Sequence, residues 1–147
     1  MSNAVAAYAM AGPDAAFEKV TIERRELGPD DVLIDIAYAG ICHSDIHTAR
    51  DEWGGAAYPC VPGHEIAGTV AAVGSAVTRH RVGDRVGVGC MVDSCGKCEP
   101  CLAGEEQFCT RGAVMTYNPR VPAEVQPGGH TMGGYAKQIV VTENFVV

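Results

Sequence analysis

No stretch of this chain stays apolar for anything near the ~20 residues that a helix needs to cross a bilayer, which excludes a helical membrane span. Cations are also scarce: Lys and Arg number 11 against 18 Asp and Glu, for a formal net charge of −7. A nucleic-acid-binding face requires clustered Lys and Arg. The nearest approach is Arg79, Arg81 and Arg85, which Asp84 interrupts and no aromatic residue interleaves, so they read as a solvated strand-and-turn surface. The apolar first ten residues lack a basic start and a convincing cleavage region, so export is not expected. Internal repeats and low-complexity tracts are missing, and so is a dinucleotide fingerprint. Gly83, Gly87 and Gly89 fall in the wrong order for G-x-G-x-x-G and no strand–helix unit follows them, so they read as bends in a barrel strand.

Cysteine, by contrast, is abundant. Seven occur in 147 residues, an odd number that cannot pair completely into disulfides. Four of them form the series Cys95, Cys98, Cys101 and Cys109, spaced C-x2-C-x2-C-x7-C. Tight turns of this spacing aim thiolates inward, and four thiolates at ~2.3 Å make a closed tetrahedral zinc cage. Gly96 and Gly104 give the backbone the freedom such turns need, and Pro100 stiffens the middle of the series. A disulfide-bonded loop is the weaker reading. Reduced, metal-holding cysteines in a chain without an export signal point to the cytoplasm.

A second, sparser signature lies upstream. Cys42, in Gly40-Ile41-Cys42-His43-Ser44-Asp45-Ile46-His47, precedes by 22 residues His64 in Pro62-Gly63-His64-Glu65. A cysteine, a histidine and an adjacent glutamate on separate segments suit an open zinc site, in which one position is left for water or substrate. A lone Cys and a lone His are more often a packed pair of small side chains. The surrounding Ser44, Asp45, His47 and Glu65 argue otherwise, because such groups are costly to bury without a purpose.

The length suits one domain with a real core. Short runs of alternating Val and Ile predict strands: Ala4–Met10, 17–27, 32–39, Ile66–Val73, 82–88 and 135–141. One or two helical turns are expected over 43–50, a loop over 53–63 and a long polar loop over 116–132. Gly28-Pro29-Asp30-Asp31 predicts a turn, and Gly74-Ser75 a hairpin turn between Ile66–Val73 and Val77. Frequent short strands with few short helices imply a mainly β protein, a small and partly open barrel from which a zinc-binding lobe at 93–112 projects. Cys60 and Cys90 read as buried, inert thiols, and His80 and His130 as loop residues without partners.

Four segments together resemble a known family. They are Gly40-Ile41-Cys42-His43-Ser44-Asp45, 58–68 (Tyr58-Pro59-Cys60-Val61-Pro62-Gly63-His64-Glu65-Ile66-Ala67-Gly68), 82–89 and the four-cysteine lobe. In combination they are similar to the N-terminal catalytic domain of medium-chain, zinc-dependent alcohol dehydrogenases, most of all the cinnamyl alcohol dehydrogenase branch with its bacterial NADP-dependent members. The resemblance spans essentially the whole chain. It implies a GroES-like barrel over 1–147 followed by a Rossmann coenzyme domain, which lies beyond this sequence together with the family's second catalytic-zinc cysteine.

The resemblance further implies reversible hydride transfer between primary alcohols or aldehydes and NADP, with zinc as Lewis acid and a second, structural zinc in the lobe. A polyol or other zinc alcohol dehydrogenase, and a non-catalytic zinc-binding barrel, stand as alternatives. By resemblance Cys42 and His64 are catalytic-zinc ligands, Glu65 approaches or joins them, and Asp45 accepts a ring N–H from the zinc histidine. Ser44 would take the alcohol proton and pass it toward His47, with His43 near the coenzyme phosphates. Read from the residues alone, the weaker alternatives are that Ser44 caps a helix and that His47 is a surface histidine, while Trp53 either lines the cleft or covers the barrel mouth. The expected partner is a small alcohol or aldehyde, with neither nucleic acid nor membrane, and the full-length protein is expected to be a homo-oligomer. The 147 residues alone are expected to be inactive.

Overall fold

A computed structural model describes residues 3–123 and 125–147. Strands dominate it: β1 (Ala4–Met10), β2 (Phe17–Glu23), β3 (Asp31–Ala39), β4 (Ile66–Val73), β5 (Arg85–Val88), β6 (Met91–Asp93), β7 (Val114–Met115) and β8 (Gln138–Thr142). Two short α-helices, α1 (His43–Ala49) and α2 (Glu99–Leu102), and two single 3₁₀ turns complete it. β1 and β2 form an antiparallel hairpin, and β5-β4-β3-β8 a four-stranded antiparallel sheet.

The sheet curls into a barrel because its two edges are joined by the end of the chain. β8 pairs with β3 at one edge, and one 3₁₀ turn later Val146 and Val147 pair with Val88 and Gly87 of β5 at the other. The hairpin is attached by residues 135–137. Tyr8 donates its amide to the Tyr135 carbonyl, Lys137 donates to Ala6, and Ile36 donates to Lys137. The alternation read in β3 is observed, with Val32 and Ile34 fully buried and Asp35 exposed. They join Val70, Val86, Ile139 and Val141 in the barrel core, while Val5, Ala7, Ile22, Val61 and Met132 form a second core beneath the hairpin.

Several expectations are corrected. β2 ends at Glu23 instead of continuing to 27, because its partner β1 begins at Ala4, opposite Glu23; the next residue, Arg24, faces inward. Its guanidinium is buried and donates to three backbone carbonyls: from Nε to Gln138 at 2.9 Å, from Nη2 to Gly133 at 2.7 Å, and from Nη1 to Met132. That removal from water pulls its pKa down to about 9. The last strand begins at Gln138, since 135–137 bridge two sheets instead of continuing one. Gly74-Ser75 is no hairpin turn: β4 pairs with β3 and β5, and Val77 lies in the irregular connection. Gly74 serves close approach instead, since a Cβ there would collide with the carbonyl oxygens of Gly28 and Pro29. His130 is buried, its ring nitrogens 2.9 Å from the Pro59 oxygen and 3.2 Å from the Gly128 oxygen. His80 Nε2 is buried without a hydrogen-bond partner among the described residues.

Gly74→Ala tests the close approach. The collision is with backbone on both sides, which cannot rotate away, so the variant is expected to lose about 1–3 kcal/mol, the usual cost of overpacking. Urea unfolding of both proteins measures this, and an unchanged midpoint would show that the two segments can separate freely.

Candidate metal centre

Two groups of metal-binding side chains assemble among the described residues, and they differ in kind. The first is the cysteine lobe. A tight turn through Gly96 (φ +65°), the single turn of α2 with Pro100 near its start, and a 3₁₀ turn at Glu106–Phe108 bring Cys95, Cys98, Cys101 and Cys109 together. Their sulfurs all lie within 4.8 Å of one another, with Cys98 Sγ 3.3 Å from Cys101 Sγ. Two of the four cysteines are buried and two half-buried. Amides of Cys101 and Thr110 pull the Cys98 thiol down to about 6. The Ser94 hydroxyl pulls on Cys101 as well, yet burial and the neighbouring Cys98 and Cys109 sulfurs carry that thiol up to about 11. Four thiolates crowded this closely need a compensating dication, and four soft donors at this spacing fit zinc.

The second group is built around α1 and the Gly63 turn. Cys42 is the N-cap residue of α1, and its amide donates to Asp45 Oδ2 at 2.9 Å, so the cap is an acid three residues on. Gly63 adopts φ +100°, open to glycine, and its amide donates to Asp45 Oδ1 at 3.0 Å. That turn delivers His64 and Glu65 toward Cys42, and the ligand atoms of the three lie within 4.8 Å of one another. Gly40 is equally constrained: a Cβ there would strike the Glu65 carboxylate. A thiolate, an imidazole and a carboxylate fit zinc with a position to spare.

Asp45 is 2% exposed, and its carboxylate also accepts the Tyr135 hydroxyl at 3.0 Å. His64 Nδ1 stands 3.5 Å from Asp45 Oδ1, which leaves Nε2 as the nitrogen free for a metal. Ser44 is the second residue of α1 and not its cap, and its hydroxyl donates to Cys42 Sγ at 3.2 Å. His47 pairs through Nδ1 with the Glu52 carboxylate. Its ring lies 5.9 Å from that of exposed His43 and 5.1 Å from that of Trp53.

A cleft of about 490 Å³ opens beside this group, and its walls include Ser44, Trp53, His64, Cys90, Met115 and Tyr117. Cys90 is exposed there, which corrects its reading as a buried thiol: β5 ends at Val88, so Cys90 lies past the core strand. Cys60 is buried, and burial, then the Asp45 charge, push its thiol up to about 11. Sequence reasoning missed Glu52, Tyr117 and Tyr135. Glu52 carried one usable signal, an acid just past the helix that holds His47. The tyrosines carried none, since neither belongs to a periodic pattern.

Two outcomes follow for the lobe. Cys98→Ser is expected to release its metal and expose 93–112 to limited proteolysis, while retained zinc with unchanged resistance would refute the cage. Zinc uptake at pH 7 should also release at least one proton, because a thiol held near 11 must give its proton up to bind. Calorimetry in buffers of different ionisation enthalpy measures that number.

The sequence and fold that carry these two groups recur in known proteins. The alcohol dehydrogenase GroES-like domain matches residues 28–147. The chain is 65% identical over 133 residues, 90% of its length, to a probable formaldehyde dehydrogenase of Bacillus subtilis, and covers 37% of that protein. It is 57% identical over 145 residues, 99% of its length, to an NADP-dependent alcohol dehydrogenase C of Mycobacterium bovis, covering 41% of it. In three dimensions the whole chain superposes on 42% of a cinnamyl alcohol dehydrogenase from Helicobacter pylori, solved with NADP(H), at a TM-score of 0.92 and 47% identity. The chain thus spans about two fifths of the length of the curated relatives it matches. With a family match over most of its length and this fold, the chain belongs to the alcohol dehydrogenase GroES-like domain family.

Proposed function

We propose that residues 1–147 are the zinc-carrying catalytic domain of an NADP-dependent alcohol dehydrogenase, with 93–112 as its structural zinc lobe and a coenzyme-binding domain elsewhere in the full protein. The reaction is reversible hydride transfer between primary alcohols or aldehydes and NADP. The observation that carries this reading is that Ser44 and His64 line one cleft while Cys42 and Glu65 converge on His64 behind it. A purely structural zinc site has no use for a cleft beside one of its ligands. The relatives named above are an alcohol dehydrogenase that uses NADP, a cinnamyl alcohol dehydrogenase solved with NADP(H) and a probable formaldehyde dehydrogenase, which supports the same chemistry.

Cys42, His64 and Glu65 would hold the catalytic zinc, and Cys95, Cys98, Cys101 and Cys109 the structural one. When bound at the first set, zinc supplies Lewis-acid polarisation of the substrate oxygen. The residues of the chain provide the rest. Asp45 orients His64 through its Nδ1 edge, as carboxylates behind metal-binding histidines do. Ser44 Oγ, on the cleft wall, would act as a relay, accepting the proton that an alcohol gives up on oxidation while releasing its own hydroxyl proton toward His47 by way of the coenzyme ribose. His47, backed at Nδ1 by Glu52 and partly exposed, is the exit for that proton to solvent. Trp53, Met115 and Tyr117 give the cleft an apolar surface suited to the carbon skeleton of a small aldehyde.

The test is made on the full-length protein, following NADPH absorbance during oxidation of benzyl alcohol. Cys42→Ala is expected to lower kcat/KM by at least about 10²-fold, the scale of losing one electrostatic stabiliser of the transition state. Cys60→Ser, at a thiol outside the site, should remain within about threefold of the parent, as expected of a residue that makes no transition-state contact. Unimpaired turnover by the Cys42 variant, or no NADP-dependent turnover of any primary alcohol or aldehyde by the zinc-loaded parent, would reject the reading.

A further inference from the structure

The phenol ring of Tyr117 lies flat against the imidazole of His64, with centroids 5.6 Å apart and an interplanar angle of 19°. This contact is a different kind of restraint from the one Asp45 supplies. Asp45 meets His64 at its Nδ1 edge, 3.5 Å away, and so limits rotation within the ring plane. Tyr117 covers a face and so limits tipping out of the plane. Together they leave the Nε2 edge of the ring free.

The position of Tyr117 is itself firmly set. On its N-terminal side, Thr116 is 1% exposed, and its amide donates to the Cys90 carbonyl at 2.9 Å. On its C-terminal side the Asn118 amide donates to the Thr131 carbonyl at 2.8 Å, and the Asn118 side-chain oxygen accepts the Ala57 amide at 2.8 Å. The loop that carries the ring is therefore pinned to three separate segments. The hydroxyl lies near the Ser44, Asp45 and Thr48 side chains.

We infer that Tyr117 is a positioning residue for the open metal site, its ring acting as a platform that holds His64 in the plane in which Nε2 meets the metal alongside Cys42 and Glu65. This rests on reading those three side chains as metal ligands. The platform is the ring; the hydroxyl is needed only to keep the ring's far end among Ser44, Asp45 and Thr48. Removing the ring therefore frees His64 to tip, and removing only the hydroxyl does not.

The experiment uses the full-length protein with its lobe already filled by zinc, titrated with cobalt(II). Absorption from the Cys42 thiolate to cobalt reports the open site, and Cys42→Ser identifies that band by abolishing it. Tyr117→Leu is expected to weaken cobalt binding at this site at least about tenfold, the range seen when groups that orient a metal ligand are removed. Tyr117→Phe keeps the stacking surface and should stay within about threefold. Retention of lobe zinc and the melting temperature, read on the same samples, should be unchanged in both variants. Equal affinity in Tyr117→Leu and the parent would overturn the inference and leave the enzymatic reading untouched. Equal losses in the two variants would overturn it too, since the hydroxyl and not the ring would then be responsible. Parallel loss of lobe zinc would reduce Tyr117 to a general fold residue. A full-length parent with no Cys42-dependent band would remove the metal site itself, and with it both proposals.

Discussion

One buried carboxylate organises the site. Asp45 accepts hydrogen bonds from the amides of Cys42 and Gly63 and from the Tyr135 hydroxyl, and faces His64. Burying a carboxylate is expensive unless it is fully paired, so these groups have to be present together. They come from the start of α1, from the turn after the 53–63 loop and from the segment that joins the hairpin to the sheet. The cost of burying that charge is thus converted into a fixed relation between three parts of the chain, and Cys42 and His64 inherit their separation from it.

Arg24 plays a comparable part on the opposite sign of charge. Its guanidinium finds no carboxylate among the described residues, and is satisfied by the carbonyls of Met132, Gly133 and Gln138. Those carbonyls flank residues 135–137, the same segment that carries Tyr135 to Asp45. Two buried ions therefore brace one stretch of backbone, Arg24 by its carbonyls and Asp45 through a tyrosine. That bracing holds the stretch between two sheets, where it bends instead of forming an ordinary strand.

The legible parts of the fold were those whose signal is local. β1 was delimited to the residue because an unbroken apolar run follows Asn3 and gives way to Gly12-Pro13, and the gathering of four sulfurs was readable because all lie in one short loop. The parts that were not legible depend on partners distant in sequence. Gly74 looks like turn chemistry, but its role is to let backbone meet backbone 45 residues away at Pro29. Cys90 looks like the end of a buried strand, but the strand stops two residues earlier. Tyr117 and Tyr135 sit in glycine- and proline-rich stretches without periodicity, and only the folded chain sets their rings against His64 and Asp45. The alcohol dehydrogenase resemblance rested on the ligand motifs, which are contiguous, and so it could not point to these supporting side chains.

The cysteine lobe has a consequence at the level of the cell. It is tied to the barrel through β6 and β7, while Leu102 and Phe108 within it remain 75% and 65% exposed. With so little apolar burial of its own, the lobe would draw its order from an ion held by its four cysteines, whereas the barrel draws its order from Val and Ile side chains. The two parts of one polypeptide thus mature by different currencies, one available to any newly made chain and the other set by the metal supply. Under zinc scarcity the population would consist of finished barrels carrying an unfinished loop, a species that proteases can recognise and trim without the barrel ever unfolding.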